Sequence, residues 1–101
     1  MFEEAIKALH GYKTLEPNWD GYGGNIPEAR CMDKAIEFLE AIAASNLPLR
    51  SPKTSLSTHS AEVYWARTGS LMSVSFEVED GELEIIATFP DGQIKIDNFA
   101  V

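Results

Sequence analysis

From Ala61 onward the chain alternates apolar and polar residues with a period of two, and three turn signals punctuate the run: Thr68-Gly69, Asp80-Gly81 and Asp91-Gly92. The two Asp-Gly pairs are strong signals for two-residue hairpin turns, whose central residues need positive φ. Four antiparallel strands are therefore predicted. Such turns also fix which residues face one another, and a slip of one residue would turn every side chain over. The first turn sets Trp65 opposite Met72 and Val63 opposite Val74. The second sets Val78 opposite Leu83 and Phe76 opposite Ile85, and the third sets Phe89 opposite Ile94. All of these fall on one face, together with Ala61, Ala87 and Ile96, so that face needs a cover.

Two amphipathic segments upstream supply it. Phe2, Ala5, Ile6, Leu9 and Tyr12 recur at helical spacing and predict a short helix over residues 2–13, with Pro17 preventing continuation. Asn25, Pro27 and Glu28 form an N-terminal capping signature for a second helix that runs to about Ser45. Its apolar stripe is Met32, Ala35, Ile36, Leu39, Ile42 and Ala43, with Phe38 off the centre, where burial against a neighbouring element is expected. Residues 46–60 form a Pro- and Ser/Thr-rich connector, longer than most loops, that holds a short edge strand at 53–58. The expected architecture is α+β, a single domain over residues 1–101: two helices packed on one face of a four-stranded antiparallel β-meander, with an extra short edge strand.

Composition agrees with one small folded unit. At 101 residues there is room for one core. With 45% hydrophobic and 24% charged residues, the chain has neither a disordered nor a fibrous composition. Eight Lys and Arg against sixteen Asp and Glu give a net charge of -8, which opposes direct binding to nucleic acid. A single cysteine, Cys31, cannot form an internal disulfide, and no Cys/His set has metal-ligand spacing. Glu3, Glu4 and Lys7 interrupt what a signal peptide would need, and no run of about 18 apolar residues exists. The reading is a soluble cytoplasmic protein with no membrane contact.

The charge is also unevenly placed. No Lys or Arg lies between Thr68 and Ile94, while Glu77, Glu79, Asp80, Glu82, Glu84 and Asp91 supply six of the eight excess negative charges. The hairpin registers set Glu77 opposite Glu84 and Glu79 opposite Glu82, although like charges facing across a strand pair are destabilising. The rest of that outward face, Glu62, Tyr64, Ser73, Ser75, Ile86, Thr88, Lys95 and Asp97, is flat and small-residued. Two readings stand: solvated acidic edges that discourage aggregation, or a docking surface for a basic partner.

The most unusual segment is Asn18-Trp19-Asp20-Gly21-Tyr22-Gly23-Gly24, with two large aromatics among three glycines between the helices. Glycines permit positive φ and Asp20 can accept hydrogen bonds from nearby backbone amides, so a tight loop is expected. Trp19 and Tyr22 either pin the helix connection to the sheet or form an exposed hot spot that, with Asp20, contacts a partner. Gly21-x-Gly23-Gly24 is not a phosphate loop, since it follows a helix and lacks GK[ST]. Here the sequence resembles a group of small bacterial and phage proteins with an N-W-D-G-Y-G-[AG] loop, a proline-started helix, a Pro-rich connector and a meander that begins near a V-x-W strand. Val63-Tyr64-Trp65 matches that strand, while Ser60-Ala61 replaces the usual D-G lead-in. The resemblance implies the fold, and through its phage-associated members it suggests an inhibitor of a bacterial defence complex, of anti-CRISPR type.

Catalytic chemistry finds little to build on. His10 and His59 stand apart in sequence, and neither identifies a base. Cys31 lies in the opening turns of a helix, where the dipole lowers a thiol pKa, but without a nearby histidine a buried, idle thiol is expected. The carboxylates of the 77–84 hairpin can act as an acid pair or bind a divalent cation, yet they lack the D-x-[DN]-x-[DN]-G pattern of a calcium loop. The sequence therefore points to a non-enzymatic protein without cofactor or metal that binds and blocks a macromolecular partner, a protein with a basic surface. The candidate contact residues are Glu77, Glu79, Asp80, Glu82 and Glu84, with Trp19, Asp20 and Tyr22. Alternatives are an immunity or antitoxin protein that neutralises a basic nuclease toxin, and a small-ligand-binding or metal-dependent enzyme, which would need a concave polar pocket.

Overall fold

The computed structural model describes residues 2–16, 19, 21, 26–45, 50–67 and 70–96. Asp20 and Tyr22, the Thr68-Gly69 turn, residues 46–49 of the connector and Asp97 lie outside them. The elements follow in the order α1 (Glu3–Tyr12), α2 (Ala29–Ala44), β1 (Lys53–Leu56), β2 (Ser60–Arg67), β3 (Ser70–Glu79), β4 (Glu82–Phe89) and β5 (Gly92–Ile96). The α+β class holds, and the strands form one antiparallel meander in chain order. The count is five rather than four, because the short edge strand expected in the connector pairs with β2 as β1. It ends at Leu56, two residues early. Ser57 Oγ accepts the backbone N–H groups of His59 and Ser60 at 3.2 and 3.0 Å, and Ser57 N–H donates to the Ser60 carbonyl at 2.9 Å. A serine hydroxyl that takes over turn hydrogen bonds competes with continued strand pairing.

Two of the three predicted registers are reproduced: Trp65 faces Met72, Val63 faces Val74, Phe76 faces Ile85 and Val78 faces Leu83. Asp80 and Gly81 both have positive φ, 54° and 80°, as a mirror-image two-residue turn requires. The third register differs. Phe89 pairs with Gly92 and Ala87 with Ile94, so Pro90-Asp91 is the turn. Proline fixes φ near −65° and has no N–H, so it fits the first corner of a turn and not the last paired position before one. The shift is two residues, so every side chain keeps its face.

α1 buries Ala5 and Leu9 with its cap residue Phe2, and α2 buries Cys31, Met32, Ala35, Ile36 and Leu39. These meet Ala61, Val63, Val74, Phe76, Ile85 and Ala87 from the sheet in one core. Phe38 stacks at the core's edge, its ring centroid 5.7 Å from that of Phe76 with the planes tilted by 58°, a favourable aromatic geometry. The Tyr12 hydroxyl meets Thr54 Oγ1 at 2.8 Å and ties α1 to β1, while Lys13 pairs with Asp33 of α2 at 2.7 Å. α2 starts later than its capping signature predicts: Glu28 holds the cap position without a side-chain cap bond, and Pro27 lies buried just before it. A proline's fixed φ suits an extended lead-in as well as a first helical turn.

The helical layer is off-centre. α2 lies over β2 and β3, and α1 over β1. Along one inner-face row, Val63 is 0%, Val74 4% and Ala87 4% exposed, but Ile94 of β5 is 57% exposed. Trp65, placed by the sequence on the face that needs a cover, is half-buried at the core's margin, where its indole N–H donates to the Arg50 carbonyl at 2.6 Å. A ring whose N–H must find a partner is favoured at such a margin. No helix is long and apolar enough to cross a membrane among the described residues.

Candidate functional site

The tight Asp80-Gly81 turn brings the acidic residues of β3 and β4 together. Glu77 faces Glu84 and Glu79 faces Glu82, as the sequence registers predict. Residues two apart on a strand share a face, so Glu79 lies beside Glu77 on the outer surface. Carboxylate oxygens of Glu77, Glu79 and Glu84 all lie within 4.8 Å of one another. Glu77 and Glu84 are half-buried, and Glu79, Asp80 and Glu82 are exposed. The β1–β2 turn stands alongside: His59, Glu77, Val78 and Glu79 line an open recess of about 310 Å³.

Two cations reach the hairpin, and sequence reasoning assigned neither. Lys95 of β5 donates to Glu84 Oε1 at 2.8 Å across the outer face. Arg30, in the first turn of α2, donates from Nη2 to the Gly81 carbonyl at 2.7 Å and pairs with Glu28 at 3.3 Å. Arg30 thus holds the turn by its backbone, and Lys95 holds the Glu84 side chain of β4. Glu77, Glu79, Asp80 and Glu82 make no ion pair with the described residues. The uncompensated charge is therefore narrower than the sequence suggests, because the charge on Glu84 is partly offset by Lys95.

Three converging carboxylates can do two things chemically: share a divalent cation, or present concentrated negative potential to a cationic group. Cation binding wants several oxygens at 2.0–2.6 Å from one centre, and the Lys95 ammonium already occupies one oxygen of the trio. The second use needs no further ligand.

The other candidates are dispersed. Trp19 is half-buried and Gly21 has φ +79°, which fits the expected tight loop. Asp20 and Tyr22 lie outside the described residues. His10 on α1 and His59 in the β1–β2 turn are exposed on separate elements. Cys31 is fully buried, and its thiol is pushed above the ordinary value of 9.0 first by burial and then by Glu28, against a smaller pull from Arg30. Burial overrides the helix dipole that would have activated it. Compared with known proteins, the chain matches no family model, no curated protein and no solved structure.

Proposed function

We propose that this chain is a small acidic, non-enzymatic protein that binds and blocks a protein partner, with the β3–β4 hairpin as the contact. The observation that carries the reading is the convergence of Glu77, Glu79 and Glu84 within 4.8 Å, at a hairpin whose other carboxylates have no ion pair with the described residues. Like charges held side by side cost the fold something, and a basic surface on another molecule converts that cost into binding energy and a faster encounter. The phage-protein resemblance supports a specific form of this reading. In it the protein inhibits a bacterial defence complex in the cytoplasm by covering a basic groove that serves nucleic acid, and it needs no cofactor and touches no nucleic acid itself. An antitoxin on a basic nuclease uses the same electrostatics, and the identity of the captured partner separates the two.

The test is charge reversal at the exposed pair, Glu79→Lys with Glu82→Lys, which leaves the Glu84–Lys95 pair intact. Exposed carboxylates contribute little to folding, so the unfolding free energy from urea titration should stay within about 1 kcal/mol of wild type. The association rate with the partner recovered from the host should fall at least tenfold at low salt, with a flatter dependence on ionic strength. Equal rates and equal salt slopes would remove the hairpin from the interface.

A further inference from the structure

β2 outruns the strand beside it. β1 begins at Lys53, opposite Tyr64, whereas β2 continues through Trp65 and Ala66 to Arg67. Ser57 N–H donates to the Ser60 carbonyl at 2.9 Å, so the alternate residues Glu62, Tyr64 and Ala66 turn their backbone groups toward β1. Ser51 is the residue that would face Ala66, but it lies before the strand, with the buried Pro52 between. A notch therefore opens at the start of β1, with the Ala66 N–H at its side. Its frame is held in place: the Trp65 indole N–H bonds the Arg50 carbonyl at 2.6 Å, which leaves the Arg50 guanidinium outside that bond.

Two adjoining hollows make up the notch. Arg50 and Ala66 line one of about 170 Å³, Glu4 of α1 lines the other, of about 320 Å³, and Ser51, Lys53 and Tyr64 border both. The chain has a net charge of -8, yet two cations meet here, and neither Arg50 nor Lys53 has an ion pair with the described residues. The acidic hairpin does not neutralise them. Ala66 is six residues of β2, about 20 Å, from Ser60, the partner of Glu77, more than twice a Debye length of about 8 Å.

We propose that this notch binds a phosphorylated sugar, either free or as the sugar-phosphate part of a mononucleotide. The smaller hollow gathers donors: the Arg50 guanidinium, the Lys53 ammonium, the Ser51 hydroxyl and the Ala66 N–H. A tetrahedral dianion accepts from several directions at once, and a guanidinium binds phosphate through two parallel bonds. The larger hollow sets the Glu4 carboxylate against the same Lys53 ammonium. A ligand ammonium there would meet Lys53 as a like charge, whereas a sugar hydroxyl donates to Glu4 and accepts from Lys53. The two hollows together have the few-hundred-Å³ size of a small-molecule site, which leaves no room for a strand or helix of a partner. This site is independent of the hairpin contact.

The experiment is an NMR titration of amides and indole N–H groups with ribose 5-phosphate, adenosine monophosphate, inorganic phosphate and ribose, each to about 20 mM. Ribose 5-phosphate should shift the Ser51, Lys53 and Ala66 amides and the Trp65 indole in one saturating curve, about tenfold tighter than inorganic phosphate or ribose. Tighter binding of adenosine monophosphate than of ribose 5-phosphate supports a nucleotide as the source, and the reverse order supports a free sugar phosphate. Arg50→Gln and Lys53→Gln, both at exposed side chains, should each weaken ribose 5-phosphate about tenfold, while Lys53→Arg, which keeps the charge, should retain it. Glu4→Gln should weaken ribose 5-phosphate and leave inorganic phosphate as tight or tighter. No saturating shift, shifts outside the notch, ribose 5-phosphate no tighter than inorganic phosphate, or binding that survives the double substitution of Arg50 and Lys53 would overturn the proposal.

Discussion

Glu77→Gln should stabilise this protein, because it removes one charge from the carboxylate trio at almost no change in shape. Glu77 lies within 4.8 Å of both Glu79 and Glu84. Two unit charges at that distance repel by about 0.9 kcal/mol in water. Screening at 0.15 M salt roughly halves each value, and the Lys95 ammonium on Glu84 offsets part of what remains. The net gain should be about 0.5 kcal/mol, inside the 0.2–1 kcal/mol range of cross-strand pairs. Urea unfolding of wild type, Glu77→Gln, Glu84→Gln and the double variant measures it as a double-mutant cycle. The Glu77/Glu84 coupling should be repulsive and should shrink severalfold between 20 mM and 1 M salt, as the Debye length falls to about 3 Å. Glu84→Gln alone should gain less or lose, since it also surrenders the Lys95 bond. A midpoint lowered by Glu77→Gln, or a coupling indifferent to salt, would refute the electrostatic account of the hairpin.

Two further substitutions test the core and its margin. Trp65→Phe, which keeps a ring but loses the 2.6 Å bond to the Arg50 carbonyl, should lower stability by about 0.5–1.5 kcal/mol, and Trp65→Ala by a further 1–2 kcal/mol, roughly, for its half-buried surface; an unchanged midpoint for Trp65→Ala would show that the margin contributes no burial. Cys31 should resist thiol reagents at neutral pH at a rate set by opening of the fold. Because burial raises its pKa above 9.0, the folded state holds the thiol proton more tightly than the unfolded one. Its contribution is therefore full below about pH 8 and is lost as pH rises through 9 and beyond. The stability difference between wild type and Cys31→Ala should narrow over that window, and a constant difference from pH 7 to 10.5 would refute it.

Why the strands were legible and one turn was not comes down to which residue controls the backbone. Asp80-Gly81 can adopt positive φ at both positions, so the pattern and the turn agree, and the register from Val78–Leu83 to Phe76–Ile85 follows. At Asp91-Gly92 the same dipeptide is preceded by Pro90, whose missing N–H bars it from the bonded position before the turn. The proline moves the turn by one residue and the register by two. Periodicity cannot detect that slip, because it leaves each side chain on its face. The cap of α2 failed for a related reason: Pro27 fits both a helix start and an extended approach, and here it lies in the extended lead-in to a helix that begins at Ala29. Helix placement over the sheet was not legible at all. Periodicity says that Ile94 belongs to the inner face, whereas its exposure depends on α1 and α2 lying over β1–β3, a tertiary choice made by the packing of Leu9, Met32, Leu39 and Phe76.

The acidic hairpin shows the same division between local and distant information. Its facing glutamates follow from the turn alone, so the register and the charge concentration were both readable. Its compensation was not, since Lys95 reaches Glu84 from eleven residues away in sequence and Arg30 reaches the Gly81 carbonyl from fifty-one. Both contacts act on the hairpin asymmetrically. Lys95 partly offsets the β4 side at Glu84, and Arg30 holds the turn by its backbone, which leaves the negative potential centred on Glu77, Glu79 and Glu82. That shift changes the choice of substitution: reversing Glu84 would break an internal ion pair and confound folding with binding, whereas reversing Glu79 and Glu82 changes the field that a partner meets and little else. In the proposed contact, a hairpin held by Arg30 at Gly81 and by Lys95 at Glu84, carrying charge that the described residues do not cancel, places those carboxylates before an encounter rather than during it. Preorganised charge of that kind raises the association rate and its salt dependence together.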